Sequence, residues 1–272
     1  MIFFRLVTLM IVFANIAIFA SPFGEKVVVP ILEMDEDSKH YAYIPAFNLK
    51  VGESGDIIRW FDKEHSGIVA KAAVVEIIGD RAKIAFEPFE GFKQKAFPTP
   101  VLMPMKDDEV IFRAFNDRAF LIAPSQDLYD RIQAVYPDIT WIHPDLFAAY
   151  LMEVGHTAPV KADFRQICLQ FATGVVYIVN LNEGQVLDCQ TFSLIRRDYI
   201  TGMVAQEDQV LPFYSRIGNA NQNWFSYIVN DEKTKDYYVY FEALLRGEIR
   251  DEDATFFGRI TNYFTQKIRD IF

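Results

Sequence analysis

Between residues 27 and 86 the apolar positions come in short runs broken by polar ones, at 27–32, 41–47, 56–61, 67–78 and 81–86. Runs of this length predict β-strands. Within the last of them Ala82, Ile84 and Phe86 fall on one side and Arg81, Lys83 and Ala85 on the other, so one face packs and the other is wet. Gly79-Asp80 separates two runs with the spacing of a tight two-residue hairpin. The pattern predicts a small β-barrel or sandwich over residues 27–104. Pro98, Pro100 and Pro104 then interrupt any regular element and mark the expected domain boundary.

From residue 105 the rhythm changes. Apolar runs at 110–115, 119–123 and 139–142 now alternate with helical patterns at 126–135 and 145–154. Ser125 stands ahead of the first helix and His143-Pro144-Asp145 ahead of the second, while Gly155 supplies a stop. Strands separated by helices argue for parallel pairing through crossovers. A turn at 158–164 and a long hairpin of 173–181 and 185–195 around Asn182-Glu183-Gly184 complete an α/β unit over 105–207. The fold class expected is therefore a mixture of α+β and α/β: the small β-barrel or sandwich first, a small α/β layer domain second. An aromatic-rich, less regular segment at 208–272 follows.

That last segment ends in an amphipathic helical pattern. Phe256, Phe257, Ile260, Tyr263, Phe264, Ile268 and Ile271 recur three and four residues apart, with Arg259, Asn262, Gln266, Arg269 and Asp270 on the other side. The face led by Phe256, Phe257, Ile260, Phe264 and Ile268 is expected to dock on the protein's own body or on a partner. A peripheral membrane contact is the other reading of such a helix, weakened by its mildly basic balance.

Composition narrows the class. With 272 residues, 51% of them hydrophobic and 24% charged, the chain is too apolar for a disordered tail and long enough for a sizeable core. Its net charge of −10 would repel phosphate backbones, so no nucleic-acid partner is expected.

The start of the chain reads as an export signal at 1–20. Arg5 gives a positive start, and 6–20 is apolar apart from Thr8 and Asn15. Fifteen helical residues reach about 22 Å, short of a hydrocarbon core of roughly 30 Å. Ile18 sits where a small residue would favour cleavage after Ala20, so an uncleaved anchor is the alternative. Export bears on the two cysteines, Cys168 and Cys189, which an oxidising compartment would join in one disulfide. They lack the CxxC spacing of a redox pair, and no paired His stands nearby to make a zinc site.

Candidate chemistry is sparse. In an α/β sheet ligands bind beyond the carboxyl ends of the strands, which directs attention to Ser125, Asp127, His143 and Asp145. If the two strands are neighbours, a hydroxyl, an imidazole and two carboxylates converge and could do acid and base work. The same residue types start helices for local hydrogen-bond reasons, and that is the favoured reading. His40, His65 and His156 are isolated in sequence, and neither a nucleophile elbow nor a phosphate loop is present, so no metal and no cofactor is expected. Gly52-Glu53-Ser54-Gly55 reads as a turn whose glycines allow positive φ, not as a phosphate cradle.

Several segments together resemble a known family. VGESGDIIRWFDKEHSGIVAKAAVVE (51–76), KQKAFPTP (93–100) and VIFRAFNDRAFLIAPSQDLYDRI (110–132) resemble the N-terminal domain of the plasminogen-binding protein A family. WIHPDLFAAYL (141–151), GVVYIV (174–179), LPFYSRI (211–217) and the placing of Cys168 and Cys189 follow in the same order, over roughly residues 27–245. The resemblance implies an exported, non-enzymatic binding or scaffold protein in the periplasm or at the surface of a Gram-negative bacterium. It implies a protein partner, host plasminogen being the one in the family's name. In the family that interaction is attributed to a Lys- and Glu-rich extension with a terminal lysine, whereas this sequence ends at Phe272, which argues against a kringle ligand there. The alternatives are an envelope enzyme using the Ser125, Asp127, His143 and Asp145 cluster, or an accessory component of an envelope-spanning machine.

Overall fold

The computed structural model describes residues 21–89, 102–200, 209–217, 236–249 and 258–260. Residues 1–20, where the sequence predicts an export signal, and most of the C-terminal helical pattern lie outside them. Among the described residues no helix is long and apolar enough to cross a membrane.

Two sheets organise the chain. The first contains β1 (Val27–Pro30), β2 (Glu33–Met34), β3 (Tyr41–Pro45), β4 (Ser54–Trp60), β5 (Ser66–Ile78), β6 (Arg81–Pro88) and β7 (Glu109–Phe112). Their spatial order is β1-β7-β4-β5-β6-β3-β2, every pairing is antiparallel, and β1 comes into contact with β3 as the sheet curls. Its concave face holds small and β-branched side chains, among them Ala42, Ile44, Ala70, Ala72, Val74 and Ile84. Small residues let a strongly curved sheet close on itself without a wide core. Irregularities at Ile57/Ile58 and Val74/Glu76 supply local bends. Gly79, at φ 62°, makes the expected tight turn between β5 and β6.

The second sheet contains β8 (Arg118–Ile122), β9 (Thr140–Ile142), β10 (Val175–Asn180), β11 (Glu183–Asp188) and β12 (Leu194–Tyr199), in the order β12-β11-β10-β8-β9. β8 runs parallel to β9 and β10, while β11 and β12 add antiparallel edges. Helices cover both faces. α1 (Gln126–Val135) places Leu128, Tyr129 and Ile132 against Ala119, Leu121, Val175 and Tyr177. α2 (Pro144–Val154), α3 (Lys161–Phe171) and α4 (Tyr237–Leu245) bury Phe147, Leu151, Phe164, Ile167, Phe241 and Leu244 against the other face. Near-continuous burial of Val175 to Val179 follows from this sandwiching. The whole is a mixed α and β structure: a curled antiparallel sheet joined to a smaller mixed sheet.

The structure departs from the sequence pattern at five places. The strand expected at 110–115 is β7, which pairs with β1 and β4 in the first sheet, so the chain changes sheets after Phe112 and not at the prolines. The turn expected at 158–164 is the start of α3. Its N-cap is Val160, which has no acceptor, and Asp163 Oδ2 accepts from Val160 N at 2.9 Å instead. α4 lies in the segment read as irregular because every residue of YYVYFEALL except Glu242 is apolar or aromatic, so the sequence carries little amphipathic period. The wet face of β6 is covered at Ala85, which is buried and lines a cleft with Arg259 and Ile260.

The fifth departure is the hairpin. Its turn is Leu181-Asn182, with Leu181 at φ 51°, and the strand expected at 185–195 is broken by a turn at 189–193 into β11 and β12. Gly184 therefore sits inside β11 opposite Val179. A Cβ there would lie 1.7 Å from the hydroxyl oxygen of Tyr177, whose ring crosses the strand at that point. Close approach of an aromatic ring, not turn geometry, requires this glycine.

Candidate functional site

The ends of β8 and β9 lie side by side, as the parallel pairing requires, and bring the sequence candidates to one edge of the sheet. Each has a local task there. Ser125 caps α1, its hydroxyl accepting from Leu128 N at 3.4 Å. Asp127, exposed, pairs with Arg131 one turn on at 3.0 Å. His143 caps α2 through Nδ1, which accepts from Asp145 N at 3.1 Å, and its ring packs against Tyr129. Asp145 accepts from Arg216 N at 2.8 Å and from Arg216 Nε at 2.7 Å.

The electrostatics at this edge follow from those partners. Burial pushes the His143 imidazole below its usual range; the Asp145 carboxylate opposes that and Arg216 adds to it. For Asp145, burial acts to raise the carboxyl, but the Arg216 backbone and guanidinium outweigh it and hold it below the usual range. A neutral imidazole whose Nδ1 is an occupied acceptor and a carboxylate held by a guanidinium are what helix capping and docking of residues 209–217 need.

A second polar constellation, missed by sequence reasoning, joins the two sheets. Asp188, at the end of β11, is buried, and its carboxylate accepts from Ser54 N and Ser54 Oγ, both at 2.9 Å, from Gln190 N at 3.0 Å and from Thr191 N at 2.9 Å. Burial raises its carboxyl; the hydrogen bonds oppose the rise. Thr191 Oγ1 donates to the Gly52 carbonyl, and Lys50 Nζ reaches the Ile195 carbonyl at 2.6 Å. Beside them Arg113, left-handed at φ 57°, forms a buried pair with Glu53 at 2.9 Å, and burial raises the Glu53 carboxyl against the pull of that guanidinium. The only trace of this junction in the sequence is the turn 52–55, where Gly52 takes φ 93° as expected. Its partners lie more than fifty residues away, so spacing carries no signal.

The Cys168–Cys189 disulfide is present and ties α3 to the turn that follows Asp188, with the Cα atoms 6.0 Å apart. Next to it a cleft of about 640 Å³ opens between the sheets. One wall is α3, with Gln166, Leu169 and Gln170; the other is the outer surface of β4 and β5, with Asp56 and Lys71 paired to each other. Thr173 and Gln190 lie at the junction.

Among the described residues no group of three or more His, Cys, Asp or Glu is placed to hold a metal. Of the docking-face residues, Phe256, Phe257, Phe264 and Ile268 lie outside the described residues. Ile260, the last of the described residues 258–260, which are helical, lines a cleft of about 680 Å³ on the first sheet, where Arg259 Nη2 contacts Glu87 at 2.8 Å.

The folded region coincides with a known family domain. A family model described as plasminogen-binding protein pgbA N-terminal matches residues 26–245. Two curated relatives, both named plasminogen-binding protein PgbA and from Helicobacter pylori strains J99 and 26695, are 32% and 31% identical over 222 residues. The match covers 81% of this chain and 48% of each relative, so the chain spans about half the length of the curated relatives it matches. No solved structure matches it at a significant level. With two sheets, their buried junction and the disulfide all falling inside the matched residues, the chain belongs to the plasminogen-binding protein A family.

Proposed function

We propose that this chain is an exported, non-enzymatic binding or scaffold protein of the bacterial envelope. The observation that carries the reading is the Cys168–Cys189 disulfide within the family-matched region. Such bonds persist in oxidising compartments and are reduced in the cytosol. The engagement of Ser125, Asp127, His143 and Asp145 in caps and ion pairs supports a structural role for the cluster that would otherwise favour an enzyme. A protein partner follows the name carried by the relatives, and plasminogen is the first to test. Recognition is assigned to the folded body, because that is the part shared with them.

The test combines location and binding. In cells expressing the native chain, fractionation should place it in the envelope with no thiol open to alkylation under denaturing, non-reducing conditions. A cytosolic protein with two alkylated thiols would overturn the export reading. Immobilised plasminogen should retain the purified chain, and a lysine analogue should leave that retention intact if the folded body is responsible. Release by the analogue would shift recognition to a kringle-bound lysine.

A further inference from the structure

We infer that the cleft on the outer face of the first sheet is the seat of the chain's own residues 261–272. The sequence pattern leaves this segment a choice between the protein's body and a partner. The cleft selects the body, at a stated place, and does so independently of the binding role proposed above.

The described residues 258–260 already bring the start of the segment there. Arg259 Nη2 meets Glu87 at 2.8 Å, and Ile260 lines the cleft. Ala85 lines it too, in the outward row of β6 with Lys83 and Glu87. It is 4% exposed although it belongs to none of the three hydrophobic cores, so this outward position is covered and not wet. Val75 and Tyr41, both half-buried, extend the apolar lining.

The spacing of charges supports the same seat. From Glu87 the cleft reaches Lys83 on β6 and Glu76 on β5, which stand opposite each other in register. Four strand residues span about 13 Å. In the helical period of the sequence Phe264 falls one turn beyond Ile260 on the same face, and Lys267 lies eight residues, about 12 Å, beyond Arg259. With Arg259 at Glu87, Lys267 comes level with Glu76, which is exposed and has no ion-pair partner among the described residues. Lys83 does not oppose this, because Asp35 holds its ammonium at 2.6 Å. Past Glu76 the outward row of β5 ends in Ile78, 48% exposed, an apolar position for the far end of the segment.

The tether decides against other occupants. Residues that follow directly on one already in the cleft reach it at an effective concentration of about millimolar, which a second copy or a foreign helix does not match in dilute solution.

The test places the photo-cross-linker benzoylphenylalanine at Phe264 in the full chain, irradiates it at low micromolar concentration, and maps the product by mass spectrometry. The expected product is a cross-link within one chain to residues 75–78 or 83–87. Glu87→Arg should lower its yield several-fold, and adding Arg259→Glu should restore it. Both residues are exposed enough for the exchange to leave the fold intact, so the rescue reports on docking. Cross-links between two chains would mean a second copy in the cleft. Transfer of the cross-link to lipid on adding phosphatidylglycerol vesicles would mean a membrane-facing segment. Either result, a product elsewhere on the body, no product at all, or a yield indifferent to the charge exchange would overturn the proposal.

Discussion

Asp188 and Ser54 hold the two sheets to each other: one carboxylate oxygen of Asp188 accepts from both the backbone N and the hydroxyl of Ser54, each at 2.9 Å. The other oxygen accepts from Gln190 N and Thr191 N and so shapes the turn behind it. One side chain thus orients the sheet junction and the floor of the cleft together.

Replacing it should be costly. Asp188→Ala leaves several buried N–H groups unpaired and should destabilise the fold by about 3 kcal/mol, against about 1 kcal/mol for Ser54→Ala. Urea unfolding of the two single variants and the double variant measures this. The double should be less than additive, since the hydroxyl has no partner once the carboxylate is gone.

The disulfide closes a loop of 21 residues, and its loss should cost about 3 kcal/mol by the chain-entropy argument. Cys168→Ser with Cys189→Ser, unfolded in parallel with the reduced wild-type chain, should give the same loss. Because Cys189 adjoins Asp188, hydrogen exchange at Gln190 and Thr191 should speed up most.

His143 should make the fold acid-sensitive. Its folded pKa lies below the usual 6.5, so the unfolded chain takes up the proton first. The stability it contributes is complete above 6.5 and is lost as pH falls from there through the folded value. A protonated Nδ1 also ceases to accept from Asp145 N. His143→Asn keeps a capping acceptor without the titration, so its unfolding midpoint should fall less than the wild type's between pH 7.5 and pH 5.5, about one unit either side of the ordinary imidazole value. Asp145, held low by Arg216, contributes in a separate window: its share is present above the usual carboxylate range and is lost only on further acidification.

Gly184→Ala should cost about 2–3 kcal/mol by forcing a Cβ into the Tyr177 ring. The ring cannot step aside freely, because Phe23, Tyr136 and Trp141 pack around it. In a Tyr177→Ala background the same substitution should be nearly neutral, and that difference, measured by thermal unfolding, separates a steric origin from a loss of backbone freedom.

Local patterns along the chain were enough to identify most elements and the two helix starts. Alternation marked the β5–β6 hairpin, and Ser125, His143 and Gly155 marked helix ends, because caps and tight turns are satisfied by residues a few positions away. The disulfide was legible because the chain has only two cysteines. Nothing local distinguished α4, in which only Glu242 interrupts an apolar and aromatic run, or α3, whose cap is an aspartate three residues inside the helix and not at its start.

What the tertiary structure alone decided was which distant residues meet. β7 looks like any half-buried strand, and its place between β1 and β4 is set by hydrogen-bond register across about eighty residues, a quantity no period of two can encode. The Asp188–Ser54 contact spans 134 positions and the Arg113–Glu53 pair 60. Each of these side chains reads, in sequence, as an ordinary polar residue near a turn. Their burial comes only from the packing of one sheet on the other, and so does the cleft that Thr173 and Gln190 line.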